Sequence, residues 1–294
     1  MHGHAYANGA GTIVNAIAIW KGAAFCIDLE TRADVELHEC AGEAGRITGR
    51  IENAAIGDAD HNTEQGASYD TALIERCVSL VLDRFGYSCD GAVTTRSDIP
   101  IARGLKSSSA AANAAVLATL DAIGEALPKM EAVRMGVRAA LDVGVTITGA
   151  FDDACASMLG GIVITNNRNQ ELVSHIKYDS DVLIYLPEEL AFTADTNISR
   201  SKAVAPLVEV AYQLALACDF ENAMTLNGLL YCTALGFDTG IAMRALELGV
   251  TGVSLSGTGS AYTALVRRDQ IKKLREAWHA LGGDVIQTRI VNKS

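Results

Sequence analysis

Proline is scarce, four in 294 residues, and no segment is low in complexity, so nothing in the chain announces a disordered linker. Positive charge is short too: 24 Lys and Arg against 35 Asp and Glu leave a net charge of −11. A broad basic face for nucleic acid is therefore not expected, because phosphate contacts need clustered cations. An anionic small molecule can still bind through local donors and a metal ion. The seven cysteines (Cys26, Cys40, Cys77, Cys89, Cys155, Cys218 and Cys232) are odd in number and contain no C-x-x-C pair. That argues against a disulfide framework or a zinc site and for buried thiols in a reducing cytosol. The opening residues, MHGHAYANGAG, lack a basic segment followed by an apolar one, so no secretory signal is expected. The longest apolar stretches are interrupted by Asn15, Lys21, Asn113 or Asp121 and fall short of a membrane span. The expectation is a cytoplasmic protein with neither membrane nor nucleic acid as partner; the oligomeric state is left open.

What is present is ordinary globular material, 49% hydrophobic and 20% charged, enough for one large domain or two modest ones. Strands are expected at 12–19, 23–29, 32–38 and 91–96, and helices at 68–85, 107–124 and 129–143. Beyond Gly160-Gly161, strands are expected at 162–166, 172–176 and 181–186, then helices at 201–217, 221–234 and 239–248. Strands at 252–255 and 261–266, a helix at 270–281 and a strand at 284–291 close the chain. Strands and helices mix without regular βαβ alternation, which indicates an α+β fold. A boundary is placed near residue 168, dividing the chain into 1–168 and 169–294.

Three segments carry chemistry. The first is Pro100-Ile-Ala-Arg103-Gly104-Leu105-Lys106-Ser107-Ser108-Ser109-Ala110-Ala-Ala-Asn113. Its glycine permits close backbone approach, and its serines stand where a helix begins, with free N–H groups and a favourable dipole for phosphate. Read alone, it is either a phosphate site or a helix capped by serine after a turn. A Walker A loop is excluded, since Lys106 follows Leu105 rather than glycine. The second segment is Thr148-Gly149-Ala-Phe-Asp152-Asp153-Ala-Cys-Ala-Ser157-Met-Leu-Gly160-Gly161, with two adjacent carboxylates placed in a loop. One could orient or deprotonate a hydroxyl, or the pair could serve a turn. The third, Ser254-Leu-Ser256-Gly257-Thr258-Gly259-Ser260, is a ligand loop or a hairpin, and Tyr262 excludes it as a dinucleotide fingerprint.

In this order the three segments resemble the GHMP kinase superfamily, which includes galactokinase, homoserine kinase and mevalonate kinase. Its motif P-x-x-x-G-L-G-S-S-A-A is matched at Pro100, Gly104, Leu105, Ser107, Ser108, Ala110 and Ala111, and departs at Lys106 and Ser109. The segment Ala7-Asn8-Gly9-Ala10-Gly11 is similar, loosely, to the N-terminal motif. The resemblance implies a two-domain fold, ribosomal-protein-S5-like then ferredoxin-like, with ATP and Mg²⁺ as cofactors. Pro100, Arg103, Gly104, Leu105, Lys106, Ser107, Ser108, Ser109 and Ala110 would form the ATP phosphate site. The D-N-x-x-S-x-x-G-G pattern selects Asp153 as catalytic aspartate, with Ser157 at the serine position. Asp142, eleven positions earlier, would hold Mg²⁺ with Ser108.

Lysine within G-L-K-S-S-S-A is similar to the archaeal-type shikimate kinases of this superfamily, as is Asn197-Ile-Ser199-Arg200-Ser201-Lys202. The implied reaction is ATP-dependent phosphorylation of the shikimate 3-hydroxyl, a step toward chorismate and the aromatic amino acids. Arg200, Lys202, Gly257, Thr258 and Gly259 would serve the substrate, with Arg103 and Lys106 as further cations for its carboxylate. Another acceptor, homoserine or mevalonate, is the nearest alternative; a non-catalytic ligand-binding homologue is the more distant one.

Overall fold

The computed structural model describes residues 1–40, 45–53, 70–146, 148–188 and 198–293. The first sheet contains β1 (His2–Val14), β2 (Lys21–Glu39), β3 (Ile47–Asn53), β4 (Cys89–Ser97), β5 (Ile162–Asn166) and β6 (Glu171–Ile176). Its order is β3-β4-β2-β5-β6, with β1 paired to β2. The long β2 is its spine: β1 runs antiparallel along one side, while β4 and β5 share the other, at Thr31–Glu39 and Lys21–Phe25 respectively.

Two strands were expected where β2 is continuous. Its first half, Gly22–Ile27, is buried on both faces, while beyond Asp28 the pattern alternates with Ala33, Val35 and Leu37 inward. A change from two-sided to one-sided burial reads in sequence as a break, although the backbone has none. Conversely, the apolar run expected as a strand at 12–19 stops at Val14. The Asn15 side-chain oxygen accepts the Ile17 N–H at 3.0 Å, a local turn that competes with the ladder. Strand β3, the parallel partner of β4, had not been anticipated.

Four helices cover one face of this sheet: α1 (Ala72–Phe85), α2 (Ser107–Ile123), α3 (Lys129–Asp142) and α4 (Phe151–Leu159). Helix α2 lies innermost and is apolar around much of its girth, as alanine-rich central helices must be. Its approach to β1 is tight enough that a Cβ on Gly3 would lie 2.2 Å from the Ala118 carbonyl oxygen. Residues 68–69, expected to open the first helix, lie outside the described residues.

The second sheet has the order β10-β7-β9-β8, from β7 (Asp181–Leu186), β8 (Gly252–Leu255), β9 (Tyr262–Val266) and β10 (Asp284–Arg289). A second core joins it to Ile13, Phe25, Ile27, Ile162 and Ile164 of the first sheet. The same core takes in α5 (Ala205–Leu216), α6 (Phe220–Leu235), α7 (Thr239–Glu247) and α8 (Arg268–His279). The helix expected at 201–217 is instead a 3₁₀ turn, Ile198–Val204, followed by α5 with proline in its first turn. All seven cysteines are free, five of them buried. The two sheets and their helices form the α+β plan expected from the sequence.

Candidate active site

Four segments converge on a cavity of 320 Å³: the turn after β1, the start of α2, the start of α4 and the β8–β9 turn. Each is aimed by backbone conformations that side chains ordinarily avoid.

The start of α2 is set by Gly104 and Lys106. Gly104 has φ 85°, and a Cβ there would lie 1.9 Å from the Ser256 carbonyl oxygen. Gly259 presses from the other side, where a Cβ would come within 2.3 Å of the Arg103 carbonyl carbon and the Gly104 nitrogen. The two glycines let one loop back the other directly. Ser256 donates its hydroxyl to the Gly104 carbonyl at 2.8 Å, and Ala261 N–H donates to the Arg103 carbonyl at 3.0 Å. The expected serine cap is absent. The cap position is Lys106, at φ 65°, and the serines are the first three helical residues with no capping bond. Their side chains turn outward instead: Ser107 and Ser108 line the cavity. The free N–H groups of the first turn and the positive end of the helix dipole face the same space, which suits an anion.

The start of α4 follows two consecutive left-handed residues, Gly149 (φ 77°) and Ala150 (φ 47°). They place Asp152 and Asp153 in the first helical turn rather than in the loop expected from the sequence. Acidic side chains are favoured there by the dipole. Asp153 is 8% exposed and its Oδ1 lies 3.1 Å from Lys106 Nζ. The Asp153 carboxyl is pushed up to about 7, chiefly by burial, against the Lys106 ammonium that pulls it down and with Asp152 pushing it further up. The left-handed backbone at Lys106 costs about 1–2 kcal/mol for a residue with a Cβ. Lysine there puts an ammonium against a buried carboxylate.

Among the described residues, Lys106 is the only cationic side chain lining the cavity. Gly104, Ser107, Ser108, Asp153, Gly257 and Thr258 line it too. Leu105 and Ala110 are buried in the core, with the Leu105 carbonyl accepting the Ala10 N–H at 3.2 Å. Ser109 faces the adjoining cleft against α3, Pro100 opens the turn, and Gly259 backs the loop.

The four charged candidates Arg103, Asp142, Arg200 and Lys202 also lie outside the cavity. Arg103 donates to the Pro187 carbonyl at 2.8 Å and to Ser260 Oγ at 3.1 Å, so its guanidinium fastens two loops. Asp142 Oδ2 lies 2.8 Å from both Nε and Nη2 of Arg76, an ion pair at the C-terminal end of α3. Arg200 is exposed and donates to the Thr233 carbonyl at 3.4 Å, and Lys202 is exposed on the 3₁₀ turn. Asn197 lies outside the described residues.

Sequence reasoning missed the turn after β1. Asn15, Ala16 and Ile17 line the cavity. Asn15 is buried, its Nδ2 donates to the Gly257 carbonyl at 2.9 Å, and its own N–H is bound by Asn227 Oδ1 at 3.0 Å. A polar residue within an apolar run was the available signal. Thr146, Thr148 and Asp152 complete the polar lining. The Ser108 hydroxyl and the Asp153 carboxylate are hard oxygen donors of the kind that hold Mg²⁺ jointly with phosphate. Among the described residues no group of three or more His, Cys, Asp or Glu could cage a metal unaided.

An anion cradle beside a buried carboxylate–ammonium pair can hold a polyphosphate and align a hydroxyl toward it. Comparison with known proteins agrees with that chemistry. Residues 72–161 match the family model described as GHMP kinases N terminal domain. The chain is 60% identical over 294 residues to a shikimate kinase of Methanosarcina mazei, covering 99% of this chain and 95% of that protein. It is 59% identical over 293 residues to a shikimate kinase of Methanosarcina acetivorans, covering 99% and 95%. The fold also superposes on the crystal structure of the Methanococcus jannaschii mevalonate kinase, with a TM-score of 0.73 at 16% identity and 99% of each chain covered.

Proposed function

The chain belongs to the GHMP kinase family, among its shikimate kinase members, and on that premise we propose that it transfers the γ-phosphoryl group of ATP to the 3-hydroxyl of shikimate. The observation that carries the mechanism is the Lys106–Asp153 pair, 3.1 Å apart at the foot of the α2 phosphate cradle. Backbone N–H groups at the start of α2 hold the ATP phosphates, with the Ser107 and Ser108 hydroxyls beside them. Mg²⁺ bound with ATP would be held by the Ser108 hydroxyl together with the phosphate oxygens, and would supply charge neutralisation on the phosphates.

Asp153 accepts the proton of the attacking hydroxyl as its oxygen bonds to the γ-phosphorus and the bridging oxygen leaves with ADP. A base must be ionised to do this, and burial alone would leave Asp153 protonated well above the usual carboxylate range. Lys106 offsets that and offers its ammonium to the charge developing on the transferring group. The acceptor identity rests on the shikimate kinases to which the chain is 60% and 59% identical. Arg200 and Lys202 stand outside the cavity, so in this proposal the substrate carboxylate relies on Lys106 and on donors of the two glycine loops.

Asp153→Asn tests the assignment. Steady-state turnover of shikimate with ATP should fall about 10²-fold or more with the fold intact by circular dichroism. Turnover near that of the unaltered protein would remove Asp153 from the chemistry.

A further inference from the structure

Asp152 is the one buried carboxylate of the site that the phosphoryl-transfer mechanism does not use. It is 4% exposed, lines the cavity, and is the immediate neighbour of Asp153. Its Oδ1 accepts from Asn167 Nδ2 at 2.7 Å, and Asn167 Oδ1 in turn accepts the Thr165 hydroxyl at 2.7 Å. The Asn167 N–H donates to the Trp20 carbonyl at 2.8 Å, which ties this relay to the turn after β1. Oδ2 points the other way, against Gly22, where a Cβ would lie 2.4 Å from it and 3.1 Å from the Ala16 side chain. One oxygen is therefore anchored and the second is held beside a residue that must be glycine. Among the described residues no Lys or Arg pairs with this carboxylate.

A purely structural role does not account for the charge. An unpaired buried carboxylate costs several kcal/mol, and an asparagine would accept the same bond from Asn167 without that cost. The charge also works against the mechanism, since it pushes the Asp153 carboxyl up while Lys106 pulls it down. A group that is costly to bury and opposes its catalytic neighbour is best explained by what it binds. Phosphate is excluded by sign. Asp152 lies on the Ala16–Gly22 side of the cavity and the phosphate cradle on the Ser107–Ser108 side, so the acceptor is the molecule it meets. A carboxylate oxygen with no donor among the described residues suits a neutral O–H donor, in a short charge-assisted bond.

We infer that Asp152 is a specificity residue that accepts a hydrogen bond from the acceptor hydroxyl adjacent to the one phosphorylated, so that Asp152 and Asp153 together read a vicinal diol. This rests on the shikimate reading above, in which the 4-hydroxyl is that neighbour. Asn167 is its positioning residue.

The test compares kcat/KM for shikimate and 4-deoxyshikimate in the unaltered enzyme and in Asp152→Asn. The substituted amide keeps an oxygen for Asn167 and changes only the group facing the acceptor. The unaltered enzyme should prefer shikimate by about 10- to 100-fold, the range of a hydrogen bond to a charged group. In Asp152→Asn the preference should collapse to within about threefold, the loss falling mainly on KM, because the two deletions remove one shared interaction. The concentration of Mg²⁺ giving half-maximal rate should not move. A slower Asp152→Asn enzyme with the original preference, or a raised Mg²⁺ requirement with that preference kept, overturns the inference. Gly22→Ala is the second route, pushing Oδ2 aside without altering charge; it should reduce the preference too, and full preference in that variant also overturns the inference. An unaltered enzyme that discriminates between the two acceptors while both variants keep its ratio refutes the role of Asp152 alone. Failure of the unaltered enzyme to phosphorylate shikimate refutes the acceptor reading and the inference together.

Discussion

Lys106 is the residue on which the site turns. Its conformation is one that glycine adopts freely, and its side chain is the partner of the buried Asp153. These two facts make separate predictions. On the backbone, Lys106→Gly and Lys106→Ala both lose the ammonium, but only alanine keeps the left-handed cost. The alanine variant should therefore be less stable by about 1 kcal/mol in urea titration; equal midpoints would show that the conformation is not strained. On the chemistry, Asp153 acts only when ionised, so kcat/KM should rise with pH through about 7. Lys106→Met removes the charge that lowers the Asp153 pKa, so the acidic limb should move to higher pH. Asp152→Asn removes a charge that raises it, so that limb should move to lower pH. A limb that stays put in both variants would mean that another group titrates. Sequence reading reached Lys106 as a misfit to its family motif. It could not show that Lys106 meets Asp153, because a contact across 47 residues depends on where α4 begins.

At the scale of elements, the cradle exists because two turns approach backbone to backbone. Gly104→Ala or Gly259→Ala would drive a Cβ into main-chain atoms that have no side-chain freedom to yield. Each should cost about 3 kcal/mol or more in denaturant unfolding and abolish nucleotide binding by calorimetry. A folded variant that binds ATP normally would mean the loops can separate without harm. Most helices and the second-sheet strands were legible from composition and bounded apolar runs, as in the alanine-rich α2 that ends at Gly124 and the apolar β7 that ends before Pro187. The elements that escaped did so for local reasons. Helix α4 is buried along its whole length, so it shows no amphipathic face, and its two aspartates look like a loop signal. Strand β3 is short and carries Gly49 and Arg50, which dilute its alternation. The turn at 15–20 hid inside an apolar run until Asn15 was seen to bind its own backbone.

Across the whole molecule, the end of the chain returns to brace the first sheet. Ile290 bridges to Ile27, and Asn292 bridges to Gly160 at the end of α4. Lys293 Nζ donates to the Ser157 carbonyl at 2.9 Å, one helical turn beyond Asp153. The helix that presents both aspartates is thus held from both ends, by the Gly149–Ala150 turn and by this strap. Removing residues 290–293 should lower the urea midpoint and reduce turnover together; unchanged turnover in the shortened chain would show that α4 keeps its place without the strap.

The proposed reaction is defined by shikimate as its phosphoryl acceptor. The purified protein, supplied with ATP and Mg²⁺ and offered shikimate, homoserine, mevalonate or galactose in separate reactions, should release ADP with shikimate alone. The product should carry its phosphorus on the 3-hydroxyl by nuclear magnetic resonance. ADP release with one of the other acceptors and none with shikimate would contradict it.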